Sequence, residues 1–188
     1  FESDYVAVDL ELGGYMATHY LIQLGHRKIG LIYGVANPDL GKERLEGYKR
    51  ALLESGIPFN EQQVKGCGYK IDDGYRATQE ILSGDEIPTA LFTINDLIAI
   101  GALRAVKEKS FNVPHDISII GFDDIVFSSY TDPPLTTVSI RKYEMGLAAA
   151  KMLIGQIEGL DAEYDGGPIL LKPELLIRGS CAGYGMES

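Results

Sequence analysis

Polar side chains that could bind a small hydroxylated ligand follow three predicted strands of this chain. Asp9, Asn95 and Asp123 each come directly after an apolar stretch that is typical of a buried strand. Ligands of open α/β folds bind beyond the carboxyl ends of the strands, and carboxylate and amide groups pair with vicinal hydroxyls. We therefore expect these residues on the rim of one polar site. Asn95, or Asp96 beside it, could instead cap the helix that follows.

Two further residues complete the candidate site. Arg44, near the start of a predicted helix, carries a fork of hydrogen-bond donors. Tyr69 offers an aromatic face that could stack on the apolar face of a sugar ring. Plainer interpretations stay open, since Tyr69 could be ordinary packing and Arg44 could form a solvated pair with Glu43 or Glu46.

Motifs for other kinds of chemistry are incomplete. The Gly41-Lys42 pair lacks the remaining residues of a phosphate-binding loop, and the segment 66–68 lacks the third glycine of a dinucleotide-binding turn. The segment 179–183 places Cys181 as in a nucleophile elbow, but no histidine follows it in the sequence. The histidines show no metal-binding spacing, and we expect them at the surface or at helix ends, with His26 just beyond a helix C-terminus. The sequence predicts no cofactor, no metal site and no enzyme.

The order of the predicted elements shows how the candidate residues would be positioned. Apolar β-rich runs alternate with helix-periodic segments, which is typical of a parallel sheet with helices on both faces, so we predict an α/β fold. This rhythm changes after the strand that ends at Phe122, where a polar loop with two prolines is followed by a long predicted helix. We expect the chain to cross there to another lobe and return, and no internal repeat is evident.

The predicted elements divide the chain into one complete lobe and parts of another. We assign 1–27 and 137–172 to a partial N-terminal lobe, 28–136 and 173–180 to a C-terminal lobe, and 181–188 to a disordered tail. A full second lobe would need on the order of 90 further residues. Because the chain begins at Phe1 rather than Met, we expect this material upstream of it.

Composition restricts the possible partners. The 188 residues include 17 Lys and Arg against 27 Asp and Glu, a formal charge of -10, which repels a phosphate backbone, so we expect no DNA binding by this chain alone. The two cysteines lie far apart without a Cys-x-x-Cys motif, which fits a reducing cytoplasm. Neither a long apolar run nor a signal peptide is present in the sequence, and we expect no membrane association.

Several stretches together resemble the lactose-repressor (LacI/GalR) family of bacterial transcription regulators. They are LGHRKIG at 24–30, RLEGY at 44–48, PTALF at 88–92 followed by ND at 95–96, and ISIIGFDD at 117–124 leading to PPLTTV at 133–138. The stretch PELLIRGS at 173–180 is similar to the end of the core in that family. Their order and spacing cover nearly the whole chain, which makes the combination specific.

The resemblance implies a periplasmic-binding-protein-like (type I) core of two Rossmann-like lobes, the N-terminal one incomplete, with a small-molecule effector in the cleft. We expect the effector to be a sugar. The resemblance also implies a homodimer, and operator DNA bound only through a helix-turn-helix head that this chain lacks. Residues at family positions that contact effector are Asp9, Arg44, Tyr69, Asn95 and Asp123.

Two other classes of protein share this architecture. A periplasmic sugar-binding protein of a transport or chemotaxis system is the main alternative, since the fold alone does not separate it from a repressor. The His-Arg-Lys-Ile, Gly-Phe-Asp-Asp and Pro-Pro-Leu-Thr-Thr runs resemble repressors rather than such receptors. A helix-turn-helix upstream of Phe1 would identify a repressor, and a signal peptide a receptor. An α/β enzyme would require a catalytic constellation that the sequence does not offer.

Overall fold

A computed structural model describes residues 4–34, 38–158 and 167–185 of the chain. Strands and helices alternate along most of it, and two short 3₁₀ helices lie at Glu61–Gln63 and Val126–Ser129. The strands are β1 (Val6–Val8), β2 (Ile29–Gly34), β3 (Val64–Cys67), β4 (Ala90–Thr93), β5 (Ser118–Phe122), β6 (Thr136–Ser139), β7 (Ile169–Leu171) and β8 (Glu174–Leu176). The helices are α1 (Leu10–Gln23), α2 (Pro38–Glu54), α3 (Ile71–Ile81), α4 (Asp96–Glu108) and α5 (Lys142–Glu158).

The larger sheet has the strand order β3-β2-β4-β5-β6-β8, and only β8 runs antiparallel to its neighbour. The chain moves from β2 to β3 in one direction across this sheet and from β3 through β4 to β5 in the other. Since such crossovers are right-handed, α2 covers one face while α3 and α4 cover the other. Strands β4 and β5 are buried along their whole length, as expected of a sheet covered on both faces. The α/β prediction is confirmed.

A smaller lobe consists of β1 paired in parallel with β7, together with α5, which packs on β1. None of the residues of α5 is buried, and apolar side chains such as Leu153 and Ile157 are exposed. None of the helices in the described part of the chain combines the length and the hydropathy that a membrane span needs.

The structure moves the predicted lobe boundaries. Helix α1 had been assigned to the smaller lobe with residues 1–27, but its Ala17 and Leu21 are fully buried in the core of the larger lobe, where α1 packs against α2. Strand β6 pairs with β5 and β8, so it belongs to the larger sheet. The prediction had placed most of this strand in the smaller lobe, with the segment 137–172. The apolar stripe of α1 and the backbone of β6 find their partners there, and the chain crosses between lobes near Asp9 and Ile140.

The predicted disordered tail is wrong for the residues that the structure describes. The backbone N–H of Ala182 donates to the Ser118 hydroxyl, and that of Tyr184 donates to the Leu24 carbonyl. His26 lies just beyond the end of α1, as expected, but it is only 2% exposed, and its ring lies within hydrogen-bonding distance of Thr89, Ser118 and Ala182. Backbone hydrogen bonds therefore attach residues 182 and 184 to the larger lobe, and 186–188 lie outside the described residues.

Close helix packing repeats in the two helix pairs of the larger lobe. A Cβ atom at Gly14 of α1 would overlap the backbone of Arg44 on α2, and a Cβ atom at Gly74 of α3 would overlap the backbone of Ile98 on α4. Glycine is therefore required where each pair touches. The contact at Gly14 sets the position of the start of α2, and with it the position of Arg44.

Candidate functional site

A tight turn follows strand β5 at the carboxyl edge of the larger sheet. Asp123 and Asp124 have φ values of 98° and 51°, in the left-handed region that favours glycine. The backbone N–H of Asp123 donates to the Val138 carbonyl on β6, at 2.8 Å. Because two consecutive non-glycine residues rarely adopt this conformation, the surrounding groups must hold the turn that carries the Asp123 carboxylate.

Arg44 lies close to Asp123 although 79 residues separate them in sequence. Its Nη2 atom is 3.3 Å from Asp123 Oδ1, and its guanidinium carbon lies 4.3 Å from the centre of the Phe122 ring. Arg44 is only 9% exposed, so the plane of its head group is held by ring and carboxylate together. Glu46, one of the two alternative partners expected for Arg44, pairs with Lys49 instead.

Asp9 lies at the end of β1, in the crossover between the lobes. Its Oδ1 accepts a hydrogen bond from the backbone N–H of Leu12, so this carboxylate caps α1. Asp9 and Arg44 both line a cleft of about 690 Å³, to which Tyr5 and Leu170 of the smaller lobe also contribute. The cleft between β1 and the start of α2 thus brings two of the predicted residues together.

Tyr69 and Asn95 are in contact with each other beyond the ends of β3 and β4, the two strands that flank β2. The side-chain amide of Asn95 donates to the Tyr69 carbonyl at 3.5 Å, while its carbonyl oxygen caps α4 through the N–H of Ile98. The capping interpretation of Asn95 is therefore confirmed for that oxygen. The Tyr69 ring packs where Gly34 has no side chain, and its hydroxyl donates to the Gly34 carbonyl. Much of the ring is thus engaged in packing rather than open to solvent.

Burial governs the charges of the site. It raises the pKa of Asp123, against the lowering effect of the positive charges on Arg44 and Lys142. Burial also lowers the pKa of Arg44, which the negative charges of Asp123 and the nearby Glu43 oppose. The ion pair is thus partly removed from water but remains open enough for a ligand, with 29% of the Asp123 side chain exposed.

The sequence does not predict the roles of several charged residues of this region. Lys142, at the start of α5, donates to the backbone carbonyls of both Asp123 and Asp124. Arg178, just beyond β8, pairs with the Asp124 carboxylate at 2.7 Å. Asp96 is fully buried and accepts hydrogen bonds from neighbouring segments rather than capping its helix. A pattern search could find them only as charges flanking the apolar runs, since their partners lie far away in sequence.

The arrangement suits reversible recognition of hydroxyl or amine groups. The cleft combines the Arg44 guanidinium and the Asp9 carboxylate with apolar walls, and the Asp123 carboxylate pairs with Arg44 beside it. This is the composition of small polar-ligand sites. Tyr69 and Asn95 are not among the residues that line this cleft. Among the described residues, no group of three or more His, Cys, Asp or Glu side chains is placed to hold a metal ion.

Comparison with known proteins identifies transcriptional repressors among the relatives of this chain. The periplasmic binding protein-like domain family matches residues 18–181. The HTH-type transcriptional repressor PurR of Haemophilus influenzae (strain PittEE) is 41% identical over 171 residues, which are 89% of this chain and 50% of the repressor. The ribose operon repressor of Haemophilus influenzae (strain ATCC 51907 / DSM 11121 / KW20 / Rd) is 36% identical over 178 residues, 95% of this chain and 53% of its own length.

Solved structures show the same similarity. A LacI family transcriptional regulator from Enterococcus faecium, determined with bound ribose, matches 97% of this chain and 66% of its own chain with a TM-score of 0.85 and 34% identity. The chain spans about half the length of the curated relatives it matches. These relatives are regulators rather than enzymes.

Proposed function

Because this chain belongs to the periplasmic binding protein-like domain family, as the effector-binding core of a LacI/GalR-type regulator, we propose that it binds a small polar effector, a sugar, in its interlobe cleft. Effector binding would favour one relative orientation of the lobes. In the complete protein, that orientation would control operator DNA binding by a helix-turn-helix head in a cytoplasmic homodimer. The net charge of -10 fits a chain that does not itself contact DNA.

The observation that carries this proposal is the half-buried pair of Arg44 and Asp123. A single hydrogen bond of 3.3 Å joins them, which is longer than charged pairs of good geometry usually make. A ligand hydroxyl can therefore donate to Asp123 and accept from Arg44 at little cost to the protein. Asp9 and the amide of Asn95 add further polar groups, and Tyr69 an aromatic edge, so we assign effector contacts to all five residues.

The sugar class is supported by two independent features. The donors and acceptors of the site are those that match vicinal hydroxyls, with an aromatic residue beside them. The similar regulator from Enterococcus faecium holds ribose, and one of the curated relatives is a ribose operon repressor. A purine base or another planar heterocycle is the chemical alternative that the same hydrogen-bonding groups could serve.

A periplasmic sugar receptor is the second candidate function. Its architecture is the same, so the fold does not distinguish the two classes. The curated relatives named above are transcriptional repressors, which favours the regulator.

Isothermal titration calorimetry of the chain against pentoses, hexoses, disaccharides and purine bases tests the proposed ligand class. We expect saturable binding of at least one sugar, with a Kd of about 1 mM or lower. Binding of a purine base alone would overturn the sugar assignment while leaving the site in place. A chain that binds none of these compounds would refute the proposed effector class as a whole.

A further inference from the structure

The most deeply buried carboxylate of the described residues near the cleft belongs to Asp96, the first residue of α4. Its side chain is fully buried, whereas aspartate is among the residues that folding buries least readily. The N-cap hydrogen bond of α4 is made by the neighbouring Asn95. Helix capping therefore does not account for the burial of Asp96.

The carboxylate of Asp96 ties the segment that follows the turn at Asp123 and Asp124 to strand β6. Oδ2 accepts from the backbone N–H of Ile125 at 2.8 Å, and Oδ1 accepts from the hydroxyl of Thr137 on β6 at 2.6 Å. A Cβ atom at Gly121 would overlap Oδ1, so β5 leaves room for this carboxylate. Asp96 thus joins α4, β6 and the segment two residues beyond Asp123 at one buried point.

The turn at Asp123 and Asp124 depends on such contacts. Consecutive positive φ values at non-glycine residues persist only where the surroundings over-determine them. Of the groups that hold this turn, Lys142 is exposed to solvent, whereas Asp96 acts from the interior. A hydrogen bond of a buried carboxylate is strong but also sensitive to the protonation of its acceptor.

We propose that Asp96 is a positioning residue for Asp123, and that a proton gained by Asp96 loosens the turn that presents Asp123 to the effector. The inference rests on the proposed function for the role of Asp123, but the turn itself can be measured without any ligand. Failure of the turn to respond and failure of the chain to bind a sugar are therefore separate results.

The two hydrogen-bond donors differ in how they tolerate a proton on Asp96. The Thr137 hydroxyl can rotate and become an acceptor, whereas the Ile125 N–H can only donate. The proton therefore belongs on Oδ1, and the bond from Ile125 then loses the charge of its acceptor. A neutral acceptor makes a weaker hydrogen bond than a carboxylate.

The surroundings place this protonation near neutral pH. Burial, followed by the charges of Asp123 and Asp124, raises the pKa of Asp96 to about 6, against the lowering effect of the hydrogen bonds from Thr137 and Ile125. The positive groups of the region are engaged elsewhere, since Arg178 pairs with Asp124 and Arg44 with Asp123. Lys142 bonds to the carbonyls of the turn, and Asp73 of α3, the helix that packs on α4, pairs with Arg76.

Amide hydrogen exchange of the full chain, followed by NMR from about pH 7.5 to about pH 5 with correction for the intrinsic rate, tests the proposal. We expect the protection factor of the Ile125 amide to fall about fivefold as the pH falls, with a midpoint near 6. In Asp96→Asn the protection should be lower than in the wild type at neutral pH and should not change with pH. Protection that stays constant with pH in the wild type would overturn the proposal.

Two further variants separate positioning from a merely structural effect. Asp116→Asn removes a carboxylate that also accepts a hydrogen bond from a backbone N–H, that of Asn112, but at the opposite edge of the sheet. In this variant the protection of the Ile125 amide should depend on pH as in the wild type. Thr137→Val removes a hydrogen bond that lowers the pKa of Asp96, so the midpoint should move to higher pH. If the Asp96→Asn variant does not fold, the Thr137→Val variant is the deciding test. A midpoint pH of Ile125 protection that equals the wild-type value would then contradict the proposal.

Discussion

Three aspartates at the strand ends differ in what surrounds them, and this difference assigns their roles. Asp9 caps α1, Asp96 is buried among hydrogen-bond donors, and Asp123 faces Arg44 with part of its side chain exposed. The three carboxylates therefore have different roles. Asp9 caps a helix and, in our proposals, Asp96 positions the turn and Asp123 binds the ligand. Burial and partner, rather than residue type, decide between these roles.

His26 provides a pH-dependent contribution to stability at the opposite edge of the sheet. Burial lowers the pKa of His26, against the opposing effect of its hydrogen bond with the Ala182 carbonyl. A lowered pKa means that the unfolded chain binds the proton more readily, so the contribution is present above about pH 6.5 and is lost as the pH falls below it. We predict that His26→Gln removes this part of the pH dependence, measured as free energies of unfolding in urea.

The control for this experiment is His19→Gln, because His19 bonds to Gln23 on the surface of α1. The difference in unfolding free energy between wild type and His26→Gln should shrink as the pH is lowered from about 7.5 to about 5.5. A difference that stays constant over that range, or one that His19→Gln reproduces, would contradict the interpretation.

Sequence reasoning located the candidate site residues but not the groups that hold them. Asp123 and Asn95 could be placed because a residue after a buried strand must lie at the edge of the sheet. The role of Asp96 could not be predicted, because its partners Ile125 and Thr137 lie 29 and 41 residues away and meet it only in the folded chain. The burial and the hydrogen-bond partners of His26 could not be predicted for the same reason, since its partner Ala182 lies 156 residues away.

At the scale of elements, the contact of α1 with α2 connects the packing of the larger lobe to the site. The backbones of the two helices touch at Gly14 and Arg44, so any side chain at position 14 must push α2 away. The segment of α1 lies in the larger lobe although the sequence assigns 1–27 to the smaller one, because apolar periodicity shows that one face of a helix is buried and not which sheet buries it. The tail was misassigned because its short polar residues gave no sign of the backbone hydrogen bonds that hold it.

We predict that Gly14→Ala weakens ligand binding as well as the fold. Forcing a Cβ atom into this contact should cost about 1 to 3 kcal/mol of unfolding free energy and displace Arg44. The matched control is Gly74→Ala, which makes the same kind of overlap between α3 and α4, at Ile98. Chemical denaturation should show similar destabilisation of both variants, whereas calorimetry should show reduced sugar affinity for Gly14→Ala only. Equal loss of affinity in both would contradict the assignment of Arg44 to the site.

At the scale of the whole molecule, the larger lobe presents an apolar surface just after the turn at Asp123 and Asp124. Val126, Phe127 and Tyr130 are 75%, 67% and 81% exposed on the 3₁₀ helix and loop that follow Ile125. Neighbouring exposed apolar side chains often mark a protein–protein interaction surface, and aromatic residues are enriched in such interfaces. We propose this surface, with the neighbouring part of α4 from 100 to 107, as the homodimer interface.

The expected result for this surface is a concentration-dependent dimer in sedimentation velocity. Phe127→Ser should weaken dimerisation at least about tenfold, because aromatic side chains at the centre of an interface contribute most of the binding free energy. Leu53→Ser, which removes an equally exposed apolar side chain from α2, should leave the dimer unchanged. A monomer at every concentration, or equal effects of both substitutions, would contradict the proposed interface.

The most direct test of the central claim is calorimetric titration of the best sugar of the panel into wild type, Arg44→Ala, Asp123→Ala and the control Lys49→Ala. Lys49 also pairs with a carboxylate and lies over an aromatic ring, but on the exposed side of α2. We predict that the Arg44 and Asp123 variants each lose about 1.5 to 3 kcal/mol of binding free energy, roughly tenfold or more in Kd, while Lys49→Ala binds like the wild type. Wild-type affinity in both Arg44→Ala and Asp123→Ala, with their folds intact, would contradict the account.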